Sequence, residues 1–292
     1  MVGREILKGF IDMHVHAGPS VAAREVDAAD MLREAQAAGY AGFLVKDHYF
    51  PTMMGAKMVE QHFGNGSCKV YGAIALNNSV GLFNLKAVDA ARQMGAKIVY
   101  FPTVSTKKHI DDHSKTHFVG AGNSTIEEKP VVYVDEKGEM LPEAVEVLRY
   151  MAEYDMVLGT GHGTLWEVDH LINKAMELGV KRILVNHPHY NVGASLEDMR
   201  RWASMGAYIE INACVFKGGS SLGNVDDEFA SEIIKACEPH HIILDSDLGQ
   251  NGNGSPVEGM YQFICLLMER FGITEEQINL MGKTNPTLLF KL

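Results

Sequence analysis

An alternation repeated eight times from end to end most constrains what this chain can fold into: a short apolar run, then an amphipathic stretch of helical period. The runs are Gly9–His16, Gly42–Lys46, Lys69–Leu76, Lys97–Phe101, Met156–Thr160, Arg182–Asn186, Ala207–Asn212 and His241–Asp245. The helical stretches are Asp27–Ala38, Met53–Phe63, Leu82–Met94, Pro142–Tyr154, Leu165–Leu178, Ser195–Met205, Asp226–Cys237 and Pro256–Phe271, with a shorter one over Glu275–Met281. Apolar runs joined by amphipathic helices build a parallel sheet, because parallel neighbours need a long crossover. Eight such units close a (β/α)8 TIM barrel, for which 292 residues is an ordinary length. A doubly wound open sheet is the rival, but no GxGxxG follows the first run, so a dinucleotide site is not expected. The fold class is therefore α/β, a single barrel domain over residues 1–292.

The alternation breaks once, over residues 103–141, after the fourth strand. This insertion is polar and contains His109, His113 and His117 at helical spacing, then Val131–Val134 with an Asp135-Glu136-Lys137-Gly138 turn. An excursion that leaves the C-terminal end of a barrel strand lies on the active-site face, where it forms a lid or pocket wall. His113 and His117 are thus candidates to touch substrate, although their lysine and aspartate neighbours also suit an exposed segment.

A formal net charge of −11 argues against nucleic acid or anionic membrane as the main partner and leaves a small-molecule substrate. No run approaches the roughly 18 apolar residues of a membrane span, and no signal peptide is evident at the N-terminus. Cys68, Cys214, Cys237 and Cys265 show no CxxC pairing, so reduced thiols and a cytoplasmic location are expected.

The chemistry is concentrated at strand ends. Asp12-Met13-His14-Val15-His16 places alternate residues on one strand face, which aims Asp12, His14 and His16 together at the barrel axis if Met13 and Val15 face the helices. Two imidazoles on one face can hold a metal ion, and burying them with no ligand would be costly. Strand five ends in Gly161-His162, strand six in His187-Pro188-His189, and strand eight in Asp245-Ser246-Asp247. All lie at the edge where barrel enzymes do their chemistry. Strand two ends in Lys46-Asp47-His48. If Leu44 points inward, Lys46 and His48 reach the mouth, Lys46 as a cation for an oxyanion or as a carboxylated bridge between metals. On strand seven Tyr208, Glu210 and Asn212 share a face, so Glu210 is a candidate to bind substrate or to pair with Lys46.

This constellation resembles the amidohydrolase superfamily of metal-dependent hydrolases. The matching pieces are His14-Val15-His16, His162, His187, the strand-eight aspartate and the ending Thr284-Asn285-Pro286-Thr287-Leu288-Leu289. The resemblance spans nearly the whole chain and is specific for the superfamily rather than for any member. It implies a divalent metal, zinc first with manganese, iron or nickel as alternatives, as one or two ions. The implied ligands are His14, His16, His162 and a strand-eight aspartate, with His187 a ligand to a second metal or an orienting group. Asp245 and Asp247 share parity; the small hydroxylated residue before the superfamily's aspartate matches Ser246-Asp247, leaving Asp245 as a supporting carboxylate. The implied activity is cleavage of an amide, cyclic amide or ester by a metal-activated water, with Asp247 moving the proton and His187 and Lys46 assisting. Such barrels often pair, so a homo-oligomer is implied too.

The chain departs from the two-metal pattern at strand four, where a lysine or glutamate is expected near the end and Tyr100-Phe101-Pro102-Thr103 stands, with Lys97 at the wrong end. Lys46-Asp47-His48 is also similar to the polymerase-and-histidinol-phosphatase phosphoesterases, but those want a glutamate where Leu76-Asn77-Asn78 stands. Phosphoester hydrolysis, metal-dependent decarboxylation or deamination, and a metal-binding barrel without turnover are the competing readings.

Overall fold

The computed structural model describes residues 2–115 and 118–292. Eight parallel strands follow the chain in order: β1 (Ile11–Val15), β2 (Gly42–Val45), β3 (Lys69–Ala75), β4 (Ile98–Tyr100), β5 (Val157–Gly159), β6 (Arg182–Val185), β7 (Tyr208–Asn212) and β8 (Ile242–Asp245). Each pairs with the next, and β1 meets the chain just after β8. There Val15 bridges Leu248 in parallel, His16 N–H donates to Leu248 O at 2.8 Å, and Asp247 N–H donates to His14 O at 2.7 Å. The closed (β/α)8 barrel is thus observed, with closure made by the segment that carries Asp247.

The principal outer helices are α1 (Ala28–Ala38), α2 (Met53–Phe63), α3 (Leu85–Gln93), α5 (Pro142–Glu153), α6 (Leu165–Glu177), α7 (Leu196–Ser204), α8 (Asp227–Cys237) and α9 (Pro256–Phe271), with α4 (Lys107–Asp112) inside the insertion. Their starts follow local chemistry. The Asp27 side chain accepts from Ala29 and Asp30 N–H, and Thr164 and Ser195 form capping boxes with Glu167 and Asp198. Among the described residues no helix is long and apolar enough to cross a membrane.

Two apolar layers fix which way each side chain points. The interior layer takes Ile11 and Met13, Leu44, Ala73 and Ala75, Ile98 and Tyr100, Val157, Leu184 and Ile243. The outer layer, between strands and helices, takes Val15, Phe43, Val45, Ile74, Val99, Leu158, Val185, Ile209, Ile211 and Leu244. Most strands alternate as expected, but β1 does not. Met13 packs inside, and the β1–β2 register shifts between Asp12 and Val15. This irregularity resets the parity. His14 and His16 still face the site, while Asp12 is turned aside, where its Oδ1 accepts the backbone N–H groups of His14 (3.2 Å) and Ser246 (3.1 Å). The expectation that Asp12 points with the histidines is corrected on that ground: it pins the backbone of β1 to the chain after β8.

The N-terminal end of the barrel is plugged by α11 (Asn285–Phe290), reached through α10 (Glu275–Asn279). Buried Asn285 donates through Nδ2 to Pro239 O and Ile242 O at 2.8 and 2.7 Å, tying the plug to the start of β8. Lys97 lies at this same end, donating to Phe290 O at 3.1 Å, far from the chemistry.

Candidate metal centre

Imidazoles form a closed ring at the C-terminal mouth. His14–His16, His16–His48, His48–His162, His162–His187 and His187–His14 have centroid separations of 5.3, 5.2, 5.7, 5.2 and 5.2 Å. All five side chains are buried. Asp247 reaches among them: Oδ1 lies 3.1 Å from His14 Nε2 and 3.0 Å from His16 Nε2, and Oδ2 lies 3.7 Å from His187 Nε2. Both non-glycine residues that turn into this site, His187 (φ 44°) and Asp247 (φ 48°), adopt the left-handed region. Such a backbone costs on the order of 1–3 kcal/mol and is characteristic of sites that must aim a side chain.

The far nitrogen of each ring shows which nitrogen is free. His14 Nδ1 donates to Glu210 Oε1 at 3.0 Å, and His187 Nδ1 donates to the Asn212 amide oxygen at 2.7 Å. Each therefore carries its lone pair on Nε2, toward Asp247. His48 Nδ1 meets Thr103 Oγ1 at 2.9 Å, and His162 Nδ1 meets His109 Nδ1 at 3.2 Å. His14 Nε2 and His162 Nε2 are buried with no hydrogen-bond partner. Buried nitrogen lone pairs facing a carboxylate are the donor set of a divalent metal site, which these residues fit. Two trios have donor atoms close enough for one ion: His14, His16 and Asp247, or His14, His187 and Glu210. In the first, the Nε2 atoms of both histidines already converge on Asp247 Oδ1; in the second, the carboxylate is the one that holds His14 Nδ1.

Electrostatics keep the set ready for a cation. Burial pushes His16 down to about 3 and holds His48, His162 and His187 below the usual imidazole value, so they are neutral near pH 7. Burial alone would raise Asp247, but the imidazoles around it, with a hydrogen bond from His16, hold its carboxyl well below the usual range. Asp245 lies one layer deeper, accepts from Asn212 Nδ2 at 2.5 Å, and is raised well above the usual value by burial and by Glu210. Asp247, not Asp245, thus faces the imidazoles.

The other expected residues divide. Glu210 is fully buried and does not line the cavity: Oε1 holds His14, and Oε2 accepts from Asn186 Nδ2 (3.1 Å) and His187 N–H (3.3 Å). With both oxygens engaged it is a positioning group, which corrects the substrate-binding expectation. Lys46 points inward with Leu44, but its Nζ sits 4.8 Å from the Tyr100 ring, buried and without a hydrogen-bond partner. His113 lines the cavity, its ring 4.4 Å from that of His109. His117 lies outside the described residues.

The cavity above the ring is about 330 Å³, walled by Phe118, Val119, Val215 and Leu222, with His16, His48, His162, His187 and Asp247 at its base. The insertion supplies one side of it. Its short helix α4 also drives His109 into contact with His162, a role the sequence pattern did not single out. Asn186, Asn212, Asn77 and Cys214 were likewise missed. Asn77 holds Thr103 by donating to its Oγ1 and accepting from its N–H (2.7 and 2.8 Å), and the Cys214 thiol donates to Asp247 Oδ2 at 2.9 Å.

Residues 9–210 match the model of a family of unknown function, DUF6282. The chain belongs to that family. Among curated proteins no match is found. Among solved structures, this DUF6282 chain is similar in fold to an amidohydrolase from Pseudomonas aeruginosa, with TM-score 0.64 at 10% identity over 99% of this chain and 97% of that one. It is also similar to an enamidase described as a new member of the amidohydrolase superfamily, with TM-score 0.61 at 16% identity over 98% of this chain and 68% of that one. A third is the phosphotriesterase homology protein from Escherichia coli, complexed with phosphate in its active site, with TM-score 0.56 at 15% identity over 97% and 99%. At these identities the likeness is one of fold: the barrel is the one amidohydrolase-superfamily structures have.

Proposed function

We propose that this DUF6282 chain is a metal-dependent hydrolase that cleaves an amide, cyclic amide or ester bond of a small molecule. The observation that carries the reading is the convergence of His14 Nε2 and His16 Nε2 on Asp247 Oδ1 at 3.1 and 3.0 Å, with His14 locked from behind by Glu210. His14, His16 and Asp247 would hold a divalent ion, zinc by its match to imidazole and carboxylate, with His162 and His187 on the opposite side of the ring. When bound, such an ion supplies a water of lowered pKa and polarises the substrate carbonyl.

The chain's own groups do the rest. Asp247 is ionised and keeps Oδ2 toward His187, so it can take a proton at the base of the cavity and return it to the leaving group. His187, fixed by Asn212, orients the carbonyl. Lys46 lies beside the Tyr100 ring beneath the site; burial lowers its pKa, and Asp247 and Glu210 act against that by favouring the charged form. The apolar wall keeps bulk water from competing.

Bound metal per chain, measured on protein purified without added metal, tests the reading against His14→Ala/His16→Ala. About one ion in the wild type, lost in the double variant, is expected. No ion even after incubation with zinc or manganese would end it. About two ions would instead favour phosphoester hydrolysis, for which Lys46 and the closed imidazole ring are the supporting features.

A further inference from the structure

Arg24 stands out among groups the proposed chemistry does not use. It lies in the loop after β1, and its side chain is only 3% exposed. One edge of the guanidinium is taken: Nη2 donates to Ser20 Oγ at 3.2 Å and to Asp47 Oδ2 at 3.4 Å. The other two nitrogens, Nε and Nη1, are buried with no partner. An unmade bond at a buried charged group is expensive, and native structures keep one where a ligand completes it.

The surroundings say which ligand. Arg24 lines the same cavity as His16, His48 and Asp247, and among the described residues there it is the only lysine or arginine. Its backbone bridges Gln250, and the adjacent Glu25 N–H donates to Gly249 O at 2.8 Å. The guanidinium is therefore fixed relative to Asp247, three residues before Gln250. Asp47, which holds it, is itself pinned by the Tyr49 and Phe50 N–H groups at 2.8 and 3.2 Å. The guanidinium is immobile and Asp47 takes only one edge of it, which leaves Nε and Nη1 as fixed donors for a negative group.

We infer that Arg24 is an oxyanion receptor, and that the substrate is a small molecule carrying a carboxylate or phosphoryl group at one end and the bond to be cleaved at the other. The cavity shared by Arg24 and the histidine cluster carries Phe118, Val119 and Leu222 on its wall, and at about 330 Å³ it admits only a small metabolite. Guanidinium suits either oxyanion, since both present paired oxygens to its planar donors. The substrate class rests on the hydrolase reading; the anion site does not.

The test is calorimetric titration of glutarate, its monoamide, its diamide and 4-phosphonobutyrate into wild type, Arg24→Gln and Arg24→Lys, each with and without zinc. In zinc-loaded wild type the diacid should bind at least about tenfold more tightly than the monoamide, because one end meets the histidine cluster and the other Arg24. In metal-free wild type the monoamide should still outbind the diamide. Both gaps should vanish in Arg24→Gln and partly survive in Arg24→Lys, with zinc content unchanged. Tighter binding of the phosphonate than of glutarate would assign a phosphoryl group, and the reverse a carboxylate. Wild type without either gap, or gaps that persist in Arg24→Gln, overturns the inference; the wild-type result decides even if that variant does not fold. A chain that takes no zinc yet prefers the monoamide to the diamide sinks the hydrolase reading alone.

Discussion

Glu210 Oε1 lies 3.0 Å from His14 Nδ1, and the same carboxylate takes the His187 N–H and the Asn186 amide through its other oxygen. One fully buried side chain on β7 thereby fixes the tautomer of a β1 imidazole and the backbone turn that carries a β6 imidazole. Partners behind metal-binding histidines typically set affinity by about 10–100-fold. Glu210→Gln should leave a folded barrel with zinc affinity reduced by about that factor, read by competition with a chelating dye. An unchanged affinity would show that His14 needs no such brace.

Asp247 makes a sharper case. Its φ of 48° is one that asparagine tolerates, so Asp247→Asn keeps the backbone while removing the charge and the proton acceptor. Turnover of a chromogenic ester such as p-nitrophenyl acetate should fall by about 10²–10⁴-fold, the usual range for a general base, with far-UV circular dichroism unchanged. Asp245→Asn, one layer down and facing no imidazole, should cost much less activity. Equal losses in the two would contradict the assignment of Asp247.

How much of this was legible in the sequence follows from the range of each interaction. Strand and helix positions are set by local periodicity, so β2, β7 and α9 could be read directly, and the strand-end histidines followed. The orientation along β1 was not, because an irregularity between Asp12 and Val15 breaks the period-two rule on which the reading of Asp12 depended. Long-range partners were also hidden. Nothing near Glu210 in sequence announces His14, 196 residues away, and nothing near Arg24 announces that two of its nitrogens go unpaired. His109 was visible as one of three histidines at helical spacing, but only the fold of the insertion brings it against His162.

Gly161 shows how backbone space positions a ligand. Its φ is 70°, and an added Cβ would come within 2.4 Å of both Phe101 O and Pro102 O. Those are backbone atoms and cannot swing aside. The close approach lets His162 N–H donate to Pro102 O at 3.0 Å, which sets the height of the imidazole. Gly161→Ala should cost about 2–4 kcal/mol in urea unfolding, combining positive-φ strain with a backbone clash. It should weaken metal binding more than Gly179→Ala, where φ is also positive but the space is open.

The buried imidazoles predict a steep acid limit for the metal-free protein. Burial lowers His16 and His109 to about 3 and His189 to about 4, and holds His48 and His162 well below the unfolded value of 6.5. Below pH 6.5 the unfolded chain takes up protons that the folded chain refuses, so their contribution is intact above 6.5 and is lost as pH falls toward 3–4. Each such group removes about 1.4 kcal/mol per pH unit in that window. Asp12, raised to about 6 by burial, and Asp245, raised well above its usual value, act in the opposite sense, since the fold keeps protons there that the unfolded chain has released. The histidines outnumber them, so the thermal midpoint of chelated protein should drop steeply between pH 6.5 and 4.5. Added zinc should raise the midpoint of the chelated protein, because the folded chain presents its imidazole lone pairs and Asp247 preassembled while the unfolded chain does not. A midpoint flat across that range would mean that these rings are hydrated and not buried as described.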